Sequence, residues 1–162
     1  IVEGDGVCAA VLTETGELVM VQQNRPAFGQ KTLEFPAGAV DIGETPLEAI
    51  RRELYEETGY QCSSMALIGG GNIRPDRYKF WGWYCLGVGA KLAPGWQNPE
   101  NIETVLLSRS VFREMIVEEQ FLQLVALSLF SVASIRYGID ILEDSIEVIS
   151  EKVENIVNEK RS

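Results

Sequence analysis

The chain has 162 residues, 46% of them hydrophobic and 23% charged, which is ordinary globular composition and excludes general disorder. Fourteen Lys and Arg stand against 24 Asp and Glu, a net charge of −10, which disfavours nucleic acid or an anionic membrane as the main partner. His is absent, so a His general base, a His metal ligand and the Ser-His-Asp triad are excluded together. Cys8, Cys62 and Cys85 are odd in number and form no CxxC, the pattern of reduced, buried thiols in a cytoplasmic protein. The chain begins at Ile1 rather than Met, so its true start is expected upstream, and no signal peptide is visible. The most apolar stretch, Phe121 to Ile135, has 15 residues, short of the ~20 that cross a bilayer.

In chain order, Val7–Leu12 and Leu18–Gln23 read as strands around a turn at Thr13–Glu17. Leu33–Phe35 reads as a short strand ended by Pro36. Thr45–Thr58 reads as a helix: Thr45 is the N-cap, Pro46 takes the first helical position, Glu48 completes a Thr-x-x-Glu capping box, and Gly59 stops it. Gln61–Ile68 and Tyr78–Val88 are expected strands, joined irregularly through Gly69–Gly71 and Pro75. Ala90–Pro99 is an expected loop and Ile102–Leu107 a strand. Helices are expected at Val111–Val117, Glu118–Arg136 and Ile139–Lys160, with Gly138 as a break. Strands around one central helix, followed by helices, make an α/β fold. We expect a domain over residues 1–117 and a helical C-terminal extension over 118–162.

Glu53, Glu56 and Glu57 fall three and four apart, on one side of the central helix. Leu47, Ile50 and Leu54 form its apolar stripe and point elsewhere. Crowded carboxylates repel unless hard, oxygen-seeking cations such as Mg²⁺ or Mn²⁺ sit among them. Taken alone, the triplet reads equally as a solvated acidic face. The wider spacing decides. Gly38, five residues, Glu44, seven residues, Arg52-Glu53-Leu54, one residue, Glu56-Glu57, one residue, Gly59-Tyr60 resembles the complete signature box of the Nudix hydrolases. Seven fixed polar or Gly positions match by chance on the order of once in 10⁸ starting points. Tyr60 departs mildly from the usual aliphatic residue.

The resemblance implies a Nudix fold, a mixed sheet between helices, and metal-dependent cleavage of a nucleoside diphosphate linked to another group. By position, Glu53 and Glu57 would be metal ligands, Glu56 a further ligand or metal-water contact, and Arg52 the ion-pairing orienter, with Glu44 in the same cluster. Gln22-Gln-Asn-Arg-Pro26 and Leu33-Glu-Phe-Pro-Ala-Gly38 resemble the ADP-ribose and nucleoside-diphosphate-sugar pyrophosphatases. That likeness gives the Ala37 carbonyl to a metal, Arg25 to the diphosphate and Glu34 to the site. The usual small-Pro-Gly turn is here Arg74-Pro75-Asp76-Arg77, so Arg74 and Arg77 are expected on a phosphate or sugar-acid group, or in solvent. Glu100, or second Glu103, would be the general base. Trp81, Trp83 and Tyr84 are expected in core or interface packing rather than base stacking.

The expected reaction is Mg²⁺-dependent hydrolysis of ADP-ribose or a related nucleotide sugar to a nucleoside monophosphate and a sugar phosphate. The alternatives are another nucleotide (a triphosphate, dinucleoside polyphosphate or capped RNA) and a non-catalytic nucleotide-sugar sensor. All box carboxylates are present, which favours turnover. Leu142, Ile146, Ile149, Val153 and Ile156 repeat at alternating four and three, a coiled-coil-like seam that folds back or pairs with a second copy. A homodimer through the C-terminal helices is expected.

Overall fold

The turn predicted at Thr13–Glu17 closes with the Thr13 N–H on the Glu17 carbonyl at 2.9 Å, and Gly16 supplies the required positive φ of 83°. It joins β1 (Gly6–Thr13) to β2 (Leu18–Arg25). The computed structural model describes residues 4–72, 75–76, 79–98 and 102–160. Further elements are β3 (Gln30–Glu34), β4 (Ala37–Ala39), α1 (Pro46–Thr58), β5 (Tyr60–Gln61), β6 (Ser64–Asn72), β7 (Trp81–Leu92), β8 (Glu103–Leu107), α2 (Arg109–Val117), α3 (Ser128–Tyr137) and α4 (Ile146–Glu159).

The sheet is mixed, as expected. β1 runs parallel to β7 and antiparallel to β2 and β4. β2 carries β3 and β8, and β7 carries β5 and β6, all antiparallel. β1 meets β2 at Leu12↔Leu18 but meets β4 at its other end, through Gly6↔Ala39, Val7↔Gly38 and Cys8↔Ala37. That switch of partners brings Ala37 and Gly38 beside β1.

Both faces of β1 are buried, on alternate residues. Ala9 and Val11 join Ala49, Ile50 and Leu54 of α1 in one cluster. Ala10 and Leu12 join Phe35, Leu86 and Phe112 in a second, which also holds Phe121, Leu129, Ile149 and Val153. Residues beyond 118 therefore share their core with the strands. The seam predicted in α4 faces this sheet: Ile149, Val153 and Ile156 are buried there, with Leu142 and Ile146 partly buried.

Several boundaries move. The strand expected over Gln61–Ile68 divides at Cys62–Ser63, where Ser63 bonds to β7 through its N–H on Gly89 O and its hydroxyl on Val88 O. β6 then runs on through Gly69–Gly71 to Asn72. A side chain at Gly70 would meet the Trp81 indole and the Gly82 carbonyl, so the glycine permits the pairing. β7 extends to Leu92, into the expected loop, because Tyr60 and Gln61 pair with Leu92 and Lys91.

The expected helix over Glu118–Arg136 is not one helix. Glu118–Gln123 leaves helical geometry, with Glu119 at φ 56°, and a 3₁₀ turn at Leu124–Leu127 precedes α3. The break lets Phe121 enter an aromatic cluster, 5.7 Å from Phe35 and 4.9 Å from Phe112 between ring centroids. Burying such a side chain is worth about 1.5–3 kcal/mol, which offsets helical hydrogen bonds given up at the break. The helix expected from Ile139 starts only after Ser145, because Asp140 accepts the N–H groups of Leu142 and Glu143 in a turn.

Candidate active site

The carboxylates sit on α1, whose ends are fixed by its own sequence. The Thr45 hydroxyl accepts the Glu48 N–H at 3.3 Å, and the Glu48 carboxylate accepts the Thr45 N–H at 2.8 Å. Gly59 ends the helix at φ 73°, and a side chain there would strike Trp96. The helix therefore enters and leaves at defined points, which sets the face that meets β4.

Arg52 organises that face. Its Nε and Nη2 donate to the two oxygens of Glu44, both at 3.0 Å, in a fork. Nη1 donates to Glu53 at 2.7 Å and to Glu56 at 3.3 Å, while Nη2 also reaches the Ala39 carbonyl at 3.1 Å. The Arg52 hydrogen bonds hold the Glu44 carboxyl below the usual carboxylate range. The hydrogen bonds it donates to Glu44, then to Glu53, push the guanidinium pKa up in return.

Two carboxylates of α1 reach the Ala37–Gly38 strand. A Cβ on Gly38 would fall inside the Glu53 carboxyl, so only glycine permits that approach. Glu57 is 5% exposed, and its two oxygens accept Gln23 Nε2 at 3.3 Å and the Ala37 N–H at 3.4 Å. Gln23 and Arg25 alternate onto one face of β2, opposite Thr32 and Gln30 of β3. Arg25 holds Glu34 bidentately at 2.7 and 2.6 Å, and Thr32 adds a 2.5 Å bond. The Arg25 hydrogen bond holds the Glu34 carboxyl below its ordinary range, against the opposing effect of burial.

Beside these groups lies a cleft of about 760 Å³. Ala37, Gly38 and Arg25 border it, Phe80, Trp83 and Tyr84 give it aromatic wall, and Gln123, Val125 and Ala126 close it from the C-terminal side. Trp83 donates its indole N–H to Asp5 at 3.0 Å. Trp83 and Tyr84, expected in packing, thus also face the cleft. Cys8 lines it too, its thiol pushed up to about 12 mainly by burial.

The donor set suits a hard divalent cation, being carboxylate and carbonyl oxygen with Gly38 leaving room for Glu53. Among the described residues, no group of three acidic or Cys side chains stands ready to hold one. Arg52 lies against Glu53 and Glu56, and Glu57 turns to Gln23 and Ala37. Cation entry would exchange some of these contacts for metal–oxygen bonds.

The structure thus gathers Arg52, Glu44, Glu53, Glu56, Glu57, Ala37, Arg25 and Glu34 around β4. Glu103 stands apart on β8, exposed and ion-paired to Lys31 at 3.3 Å. It lines a second, polar cleft with Gln22, Gln23 and Asn98. Glu100, Arg74 and Arg77 lie outside the described residues. Sequence reasoning missed Gln23 and Gln123. The period-2 pattern of β2 could have paired Gln23 with Arg25; no local signal marks Gln123.

Comparison with known proteins agrees with this geometry. The chain belongs to the Nudix family: the NUDIX domain profile matches residues 2–114. It is 41% identical over 66 residues to a methanol dehydrogenase activator of Bacillus methanolicus, covering 40% of this chain and 36% of that one. It is 39% identical over 67 residues to an RNA pyrophosphohydrolase of Francisella tularensis subsp. mediasiatica, covering 39% and 41%. It is 38% identical over 62 residues to an ADP-ribose pyrophosphatase of Bacillus subtilis, covering 38% and 34%. The chain thus spans well under half the length of these relatives. A crystal structure of an ADP compounds hydrolase superposes with a TM-score of 0.68 at 17% identity, over 80% of this chain and 70% of that one. At that identity the likeness concerns the fold.

Proposed function

We propose that the protein hydrolyses the diphosphate of ADP-ribose or a related nucleoside diphosphate sugar, releasing a nucleoside monophosphate and a sugar phosphate. The observation that carries this reading is the Arg52-centred carboxylate cluster set against Ala37–Gly38, at the edge of a cleft with aromatic walls. Glu53, Glu56, Glu57 and the Ala37 carbonyl would hold Mg²⁺ or Mn²⁺. Such an ion would supply charge neutralisation for the diphosphate and make an attacking water more acidic.

The chain's own residues do the rest. Arg52 fixes the carboxylate rotamers, which spares their reorganisation during the reaction. Arg25 presents its remaining donors to diphosphate oxygens while Glu34 holds its guanidinium in plane. Glu100 is the proposed base and Glu103 the second choice, taking the proton of the attacking water. The aromatic wall takes the base or sugar face.

Incubation with ADP-ribose, other nucleotide sugars, nucleoside triphosphates, dinucleoside polyphosphates and 5′-triphosphate RNA, with and without Mg²⁺, tests the reading by product analysis. Preferred release of AMP and ribose phosphate supports it. Exclusive turnover of RNA would transfer the function to the activity named for the RNA-processing relatives, against which the net charge of −10 argues. Binding without turnover would make the protein a sensor.

The protein is further proposed to work in the cytoplasm as a homodimer. With Ile149, Val153 and Ile156 spent on its own sheet, the surface left for a second copy includes Leu124 and Ile135, which are 67% and 85% exposed. Light scattering at micromolar concentration decides; a monomer mass overturns the dimer.

A further inference from the structure

Gln123 lies beyond the matched family region, 88 positions from its hydrogen-bond partner Phe35. The Phe35 N–H donates to its Oε1 at 3.0 Å. A backbone N–H can only donate, so the group it meets must be the carbonyl oxygen, and the orientation of the amide is fixed. The amide nitrogen, with two N–H donors, has no protein partner among the described residues. Gln123 lines the same cleft as Arg25 and Gly38, and Phe35 lies two residues before Ala37.

The position is rigid for reasons independent of that bond. Two residues earlier, Phe121 is buried among Phe35 and Phe112. Two residues later, the Val125 carbonyl accepts the Tyr84 hydroxyl at 3.3 Å and the Ser128 hydroxyl at 2.6 Å. Ser128 Oγ also lies 2.7 Å from Tyr84 Oη. A donor held this firmly in the same cleft as Arg25 complements an acceptor-rich ligand, because a positioned amide N–H exchanges its water for a ligand oxygen at little ordering cost.

We propose that Gln123 is a substrate-binding residue, its Nε2 donating to a phosphate or sugar oxygen of the nucleotide sugar in the cleft. This rests on the function proposed above for the same site. The C-terminal segment would thus supply part of the specificity.

Gln123→Glu separates the role from a structural one. The carboxylate still accepts the Phe35 N–H, so the segment stays docked, but the donor is lost and a negative charge faces the ligand. KM for ADP-ribose should rise about tenfold or more, with kcat within about threefold and the melting temperature little changed. Gln123→Ala should raise KM similarly and also lower the melting temperature. Titration of wild type and both variants with ADP-ribose by calorimetry, without added metal, gives the same comparison independently of turnover. If wild type binds ADP-ribose but hydrolyses none of it once Mg²⁺ is added, the hydrolase reading fails, while a tenfold weaker Kd in Gln123→Glu still upholds the contact. Unchanged KM and Kd in Gln123→Glu overturn the proposal, as does a wild type that binds no nucleotide sugar.

Discussion

Helix α1 backs onto the β4 edge of the cleft through Arg52 and Glu53, the segment from Glu118 to Tyr137 lines it through Gln123, Val125 and Ala126, and the two are held differently. α1 carries its own instructions: a capping box at Thr45, a left-handed stop at Gly59, and an Arg52 whose partners lie within 13 positions of it. The later segment is held by what it lands on. Phe121 enters a cluster with Phe35, Gln123 meets the Phe35 N–H, and Tyr84 meets the Val125 carbonyl. The first region gains its polar geometry from short-range bonds, and the second from long-range burial and hydrogen bonds to distant strands. Chemistry that needs several charges at fixed spacing is safer on the first kind. Shape around a ligand can be delegated to the second.

The largest effect should come from emptying the landing site. Phe112 is fully buried and touches both Phe121, at 4.9 Å, and Phe130, at 5.7 Å between centroids. Phe112→Ala should destabilise the protein by about 3–5 kcal/mol in chemical denaturation. It should raise KM more than it alters residual metal affinity, because the C-terminal wall loosens before α1 does. Equal losses in both would show that the two regions unfold as one.

Glu57→Gln probes the other region. It keeps the shape, its one amide oxygen can still accept the Ala37 N–H, and Gln23 can turn its own amide oxygen to the new NH2, but a negative charge is removed. We expect kcat to fall by on the order of 10², about 2.7 kcal/mol of barrier, with little change in the denaturation midpoint. Full turnover with unchanged Mg²⁺ dependence would sink the ligand assignment.

The contrast also explains what could be read without coordinates. Thr45, Pro46, Glu48 and Gly59 each announce a helix end through local chemistry, and all four act as read. The carboxylate spacing around Arg52 is likewise a property of one helix. The stretch from Phe121 to Ile135 offers no such signal. Its apolar residues surround any helix drawn through it, so sequence pattern fixes neither its phase nor its break, and only the Phe35–Phe112 pocket selects Phe121. β4 was missed because three residues of Ala37–Ala39 become a strand only when β1 exchanges β2 for a new partner. The base choice hangs on Glu100, beyond the described residues, with Glu103 placed on an edge rather than among the carboxylates.

A smaller effect should follow from Thr45→Ala, which deletes one half of the capping box. About 1 kcal/mol of stability should go, measured by urea denaturation. Thr45→Ser should recover most of it. Since α1 is also gripped through Ile50 and Leu54, kcat should change little. A drop as large as that from Glu57→Gln would mean that helix entry, and not side-chain charge, limits the site.

The smallest effect concerns acid. Glu34 is held below its ordinary value first by the Arg25 hydrogen bond, with Thr32 helping and burial opposing. A lowered folded pKa means that the unfolded chain takes up the proton first. The stability from this pair is therefore fully present above the ordinary glutamate value of about 4.3 and is lost as pH falls through the lower, folded value. Arg25 is 45% exposed on its side chain, so screening keeps the contribution within about 1 kcal/mol. Glu34→Gln should flatten part of the stability loss between about pH 4.3 and the onset of acid unfolding, while leaving stability near pH 7 only slightly reduced. Added salt should shrink the difference between wild type and Glu34→Gln, because part of it is charge attraction at an open cleft edge. The same titration on Phe112→Ala should run parallel to wild type, displaced downward at every pH, since the landing site is built from rings that carry no titratable group. A change of slope in Phe112→Ala would instead mean that docking of the C-terminal segment sets the environment of Glu34, through Gln123 and the neighbouring Phe35.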